Sequence, residues 1–164
     1  MALELNGTTG VSAVQAGSIQ SDDLAAGVGG KVLQVVQDTH PTEISTTSTS
    51  FISLGLTATI NVSSSANSVL ALVYHPARKI STTASTGYES ALFRGATEVF
   101  NYYNFVYFLG SGINAHMSYQ FVDSPSTTGN VTYSVQGKVH PNGGSFRIND
   151  GNSPSTLILM EIAG

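Results

Sequence analysis

Residues 99–123 read VFNYYNFVYFLGSGINAHMSYQFVD and concentrate the aromatic side chains that are thinly spread elsewhere in the chain. Phe105, Tyr107 and Leu109 fall on one parity and Val106 and Phe108 on the other. Aromatic and β-branched residues repeating every two positions favour strand over helix. After the Gly110-Ser111-Gly112 turn the alternation becomes cleaner. Ala115, Met117, Tyr119 and Phe121 point one way, and His116, Ser118 and Gln120 the other, the pattern of a strand with one buried and one wet face. The stretch is expected to run strand, turn, strand, turn, strand, with its first turn at Asn101-Tyr102-Tyr103-Asn104.

The flanking sequence follows the same period. Strands are expected at 32–37, 51–54 and 56–62, with Gly55 as a bulge, after a Thr/Ser tract at 42–50 that leads in. Residues 69–74 are apolar on both parities and should lie between two layers or against another subunit. His75-Pro76 is expected to end that strand, and 77–87 to form the longest polar loop, carrying Arg78 and Lys79. Strands resume at 88–94 and 97–100 across Gly95. Val131, Tyr133, Val135 and Val139 alternate with Thr132, Ser134, Gln136 and Lys138 after a turn rich in Ser, Thr and Pro. A short strand at 145–149, a loop at 150–154 and a final strand at 157–162, again apolar on both faces, complete the chain. About ten strands with regularly spaced turn signals predict an all-β, jelly-roll-like antiparallel β-sandwich over residues 31–164.

Residues 1–30 differ in kind. They contain six glycines and no aromatic residue, so they cannot build a core of their own. Ser21 to Gly27 reads as one helical turn with an N-cap, two acids at its positive end and a glycine stop. Leu3, Leu5, Val11, Val14 and Ile19 give the segment spaced apolar anchors, which predicts an extended arm that becomes ordered on a partner.

Composition narrows the function. In 164 residues only 10% are charged, against a usual figure of about 25%. Such a chain is expected to hide surface against copies of itself or a larger assembly. A net charge of −4, with no basic run beyond Arg78-Lys79, argues against nucleic acid. No apolar run approaches the ~18 residues of a membrane helix, and the start lacks the basic and apolar regions of an export signal, so synthesis in a cytoplasm without membrane insertion is expected. The chain has no cysteine, which removes disulfides and thiolate metal sites.

The residues suggest no catalysis. There is no G-x-S-x-G, H-E-x-x-H or P-loop. Asp38 with Glu43, or Asp123 with Asp150, has the residue types of a glycosidase pair, but spacing places neither pair together. His40, His75 and His140 each precede a proline and are expected at strand ends, and their spacing supports no metal site; His116 is expected to face outward. No cofactor is expected. The candidate ligand site is Asn101, Tyr102, Tyr103 and Asn104, two aromatics flanked by two amides at a turn, a combination that stacks on sugar rings and bonds their hydroxyls. Arg78 and Lys79 are its secondary members. The competing reading packs both tyrosines into the core or a subunit interface.

From residue 30 onward the order of segments GKVLQVV, GLTATINV, LFRG, FVDSP with its Thr-rich turn, VTYSVQ, FRIND and STLILMEI resembles a group of bacteriophage virion proteins. These are chiefly tail-fibre tip domains and related short surface proteins of phages of aquatic bacteria. The resemblance implies a non-enzymatic virion protein whose arm docks on other virion proteins and whose trimeric sandwich is displayed outward. It implies most directly a short tail fibre or receptor-binding tip that touches a host surface glycan. The alternative is a capsid decoration, cement or head-fibre protein.

Overall fold

The computed structural model describes residues 31–80, 86–108, 112–140 and 144–164, with the side chains of 86, 103–108 and 113 outside that description. By its contacts the chain divides into Met1–Lys31 and Val32–Gly164. The expected arm, its helical turn and its anchors Leu3, Leu5, Val11, Val14 and Ile19 lie outside the described residues.

The second unit is all strand apart from one 3-10 turn, Asp150–Asn152. In chain order its strands are β1 (Val32–His40), β2 (Ile44–Thr46), β3 (Ile52–Val62), β4 (Ser68–Lys79), β5 (Thr86–Arg94), β6 (Thr97–Phe108), β7 (Ile113–Asp123), β8 (Gly129–Val139), β9 (Phe146–Ile148) and β10 (Ser155–Ile162). Every pairing is antiparallel. One sheet has the order β1-β10-β4-β7 and the other β3-β8-β5-β6, while the short pair β9-β2 continues the first sheet beside the end of β4. The chain crosses repeatedly between the two sheets, which makes the sandwich a jelly roll.

Alternation explains which face is sealed. Leu54, Leu56, Ala58, Ile60 and Val62 of β3, Val69, Ala71 and Val73 of β4, and Leu157 and Leu159 of β10 all bury their side chains between the sheets. The bulge expected at Gly55 is present as a register shift between Ser53 and Thr57. Gly55 has φ +77°, and a Cβ there would lie 2.5 Å from the His40 ring, so both the backbone and the space require glycine.

Several expected boundaries move. β4 does not end at His75-Pro76 but runs on to Lys79. β7 pairs with it from Val69 to Lys79, whereas the opposite edge is shared, with β10 bonded as far as Tyr74 and β9 taking over at Ala77. Pro76, which has no N–H to donate, falls in the gap between those two partners. Asn149 fills that gap. Its backbone N–H donates to the Pro76 carbonyl at 3.1 Å, and its side-chain amide donates to the carbonyls of His40 and Thr42, each at 2.9 Å. The loop expected at 77–87 therefore starts only after Lys79, and Arg78 and Lys79 are strand residues. β2 appears within the Thr/Ser tract, and β6 crosses 101–104 without a turn.

The last strand carries a polar anchor at its inner end. Glu161 is 1% exposed and accepts hydrogen bonds from Gln34 Nε2, the Ser63 backbone N–H, Ser63 Oγ and Asn67 Nδ2, each at 2.7 Å. One carboxylate thus ties β1, the turn after β3 and β10 together. Burial pushes its pKa up, but the bonds from Asn67, Gln34 and Ser63 outweigh that and hold it at about 2. A folded pKa below the unfolded value contributes stability that is complete above about 4.5 and is lost as pH falls toward about 2. Thermal unfolding between pH 5 and pH 2 should show this loss, and Glu161→Gln should lower the melting temperature at pH 7 while flattening that part of the profile; a parallel profile would refute the anchor.

Gly137 offers a second test. Its added Cβ would collide with Tyr88 Oη, a buried hydroxyl without a partner among the described residues. Gly137→Ala should cost about 1–3 kcal/mol, and the double variant with Tyr88→Phe should recover part of that in chemical denaturation.

Candidate functional site

The expected Asn101-Tyr102-Tyr103-Asn104 site is not a turn. All four residues lie on β6, paired in register with Ala91, Ser90, Glu89 and Tyr88 of β5. Tyr102 faces inward and stacks on Tyr119 with ring centroids 5.4 Å apart and planes 12° apart. Phe100 packs on both Tyr119 and Phe121, at 5.4 and 5.1 Å. These four rings close the sandwich between β6 and β7, the edge strands of the two sheets. Asn101 donates to Glu98 Oε1 at 3.2 Å, and its own Oδ1 is buried. The side chains of Tyr103 and Asn104 lie outside the described residues. Of the two tyrosines, Tyr102 therefore belongs to the core.

Arg78 and Lys79 form no loop site either. Arg78 donates to Asp150 at 2.9 Å, and Arg147 reaches Asp150 at 3.5 Å and Glu43 at 3.3 Å, so the 3-10 turn is clamped to β4 and β9 by charge. The Arg78 guanidinium holds the Asp150 carboxyl below the usual carboxylate range. Lys79 is fully buried. A shallow depression beside this clamp is lined by Pro76, Arg78, Asn114, His116, Asp150 and Ser153. His116 is exposed, as expected, with Nδ1 2.8 Å from Tyr74 Oη and its ring stacked on that tyrosine.

The acids suggested as pairs serve separate structural partners. Asp38 accepts from the Thr57 N–H at 2.7 Å, and Asp123 accepts from Arg94 at 2.8 Å and from Tyr133 Oη at 2.6 Å. His40 ends β1, and His140 follows β8. Among the described residues, no three His, Asp or Glu side chains converge to hold a metal ion.

Sequence reading missed a buried polar chain in which His75 Nε2 lies 2.9 Å from Ser90 Oγ and Ser90 Oγ 3.0 Å from Tyr119 Oη. A serine beside a histidine resembles a nucleophile and its base. Here both are 0% exposed, and His75 Nδ1 meets no carboxylate among the described residues, so no substrate reaches the hydroxyl. Burial lowers the His75 pKa to about 3 and raises that of Tyr119. The chain bridges the two sheets. Only the long continuation of β4 past Tyr74 places His75 inside, and reading His-Pro as a terminator concealed it.

The larger contrast lies between the two outer faces. The strands β3 and β8 turn Ser, Thr, Asn and Gln outward, with Thr59 bonded to Thr132 and Asn61 to Asn130, and Lys138 is bridged to Glu89 over the Phe51 ring, which packs edge-on against Phe93 of β5. The sheet β1-β10-β4-β7 carries large apolar side chains on its outer face beside Gln37, Gln120 and several hydroxyls. The large apolar side chains left exposed among the described residues are Val32, Leu33, Val35, Tyr74 and Val122, all on its strands β1, β4 and β7.

No family model matches the chain, and no curated protein matches it. Solved structures with similar strand arrangement include the VP2 subviral particle of infectious bursal disease virus, at 14% identity and TM-score 0.43 over 80% of this chain and 38% of that one. The Gt strain of the same virus gives 13% identity and TM-score 0.45 over 80% and 38%. Dimeric latent PorU of Porphyromonas gingivalis gives 10% identity and TM-score 0.43 over 79% of this chain and 13% of that one. The chain thus spans between 13% and 38% of these proteins' lengths.

Replacing Tyr102 with alanine should open a void among four rings and cost about 2 kcal/mol or more. The check is a fall in melting temperature. An unchanged melting temperature would instead return Tyr102 to the surface.

Proposed function

We propose that this chain is a non-enzymatic structural protein of a virion, attached through residues 1–30, with its jelly roll displayed on the particle. The observation that carries the reading is an exposed apolar row on the outer face of one sheet. Tyr102 and Arg78 of the expected ligand site are engaged in packing and an ion pair, whereas an apolar row, Val35, Met160, Leu70 and Val122, crosses all four strands of the sheet β1-β10-β4-β7 and is suited to burial against protein. The succession of segments shared with phage virion proteins supports the same role. Within it, the loss of Tyr102 and Arg78 as free ligand groups favours capsid decoration over a receptor-binding tip. A tip that stacks on host glycan needs exposed aromatic faces.

The test is particles made without this protein. They are expected to assemble and to adsorb to host cells normally, but to release their genome at a lower temperature than complete particles. Lost adsorption with unchanged thermal release would place the protein at a tail tip. Its absence from purified complete particles would overturn the virion reading altogether.

A further inference from the structure

The outer face of β1-β10-β4-β7 is organised by register. Val35 pairs with Met160, Met160 with Leu70 and Leu70 with Val122, so one apolar row crosses all four strands. The next row holds Gln37, Ile158, Leu72 and Gln120. At the outward positions of β4 from Ser68 to Tyr74, and at the residues paired with them across the sheet, no Asp, Glu, Lys or Arg occurs. The acids nearby, Glu161 and Asp123, turn inward and are buried.

We propose that copies of this chain bind one another through this face. Two features of its chemistry favour a second copy. With no charge, the face holds nothing to select a charged partner. Its polar groups are amides and hydroxyls, each carrying both donor and acceptor, so Gln37 and Gln120 can pair with the same groups on an identical surface where carboxylates would repel. The size also fits. Four strands at about 4.8 Å spacing and seven residues at about 3.3 Å rise give on the order of 450 Å² in projection. Side-chain relief brings the accessible area of that patch toward the roughly 600–1,000 Å² per partner of a stable interface. Burying Val35 and Val122, each 57% exposed in the single chain, gives the driving force. The inference goes beyond the virion reading and holds with or without it.

The full chain, purified, should have a solution mass that is a multiple of 17.1 kDa by light scattering. Val35→Asp with Val122→Asp should reduce the mass to that of one chain with an unchanged circular dichroism spectrum. Thr59→Asp, on the outer face of the other sheet, should leave it as in the wild type. Because the chain has no cysteine, Val122→Cys gives a second readout that needs no disruptive charge. Its thiol should react with a maleimide at least tenfold more slowly than that of Thr59→Cys. A wild-type chain of single-chain mass overturns the proposal; with the thiol still protected, it assigns the face to residues 1–30. Equal thiol rates, or a multimer that survives both aspartates, overturn the choice of face while leaving self-association standing.

Discussion

Strand β4 needs a bonded neighbour along each edge for its full length, and meeting that requirement shapes much of the molecule. β7 satisfies one edge without a break. The other is divided between β10 and β9, and the junction is possible because Pro76 presents no N–H there. Asn149 then takes up the Pro76 carbonyl and holds the chain in a left-handed turn, with φ 61°, that redirects it from β9 into β10. Extending β4 past its proline also carries His75 into the interior, where Ser90 and Tyr119 receive it. It likewise brings Arg78 alongside the turn that Asp150 opens.

This explains which parts of the fold were legible in sequence. Alternation located β7 and β8, because each seals one face on a common core and a slip of one residue would turn that face to water. Three local signals misled. Two asparagines around two tyrosines have the composition of a turn, yet eight register pairs to β5 hold the backbone of β6 extended through them. A histidine followed by proline usually ends a strand, and it fails here only because a neighbouring strand changes at that point, which no local window contains. Three residues of β2 inside a Thr/Ser tract carry too little apolar signal to stand out from the loop around them.

The candidate ligand site was less legible than the fold, for a related reason. Tyr102 and Tyr103 fall on opposite parities of β6, and which parity faces inward depends on what lies opposite. Tyr102 lies opposite Tyr119, a residue from the other sheet seventeen positions later, and that pairing is set by topology. Glu161 was hidden in the converse way. It sits within an apolar run, and its burial is tolerable only because Gln34, Ser63 and Asn67 converge on it from two other places in the chain.

The scarcity of charge and the unequal faces have one physical root. A sandwich covers one face of each sheet with the other sheet and leaves two faces to be dealt with separately. On β3 and β8 the outward Thr and Asn side chains bond across the strands, Thr59 to Thr132 and Asn61 to Asn130. On β1-β10-β4-β7 the row Val35, Met160, Leu70 and Val122, with Ile158 and Leu72 beside it, holds apolar side chains whose contact with water costs roughly 25 cal/mol for every Å². Conversion to Ser and Thr would be a small chemical change, already made on the opposite sheet. Keeping them apolar is consistent with a chain whose stable form is an assembly, in which the sandwich of one copy is the inner part of a larger core.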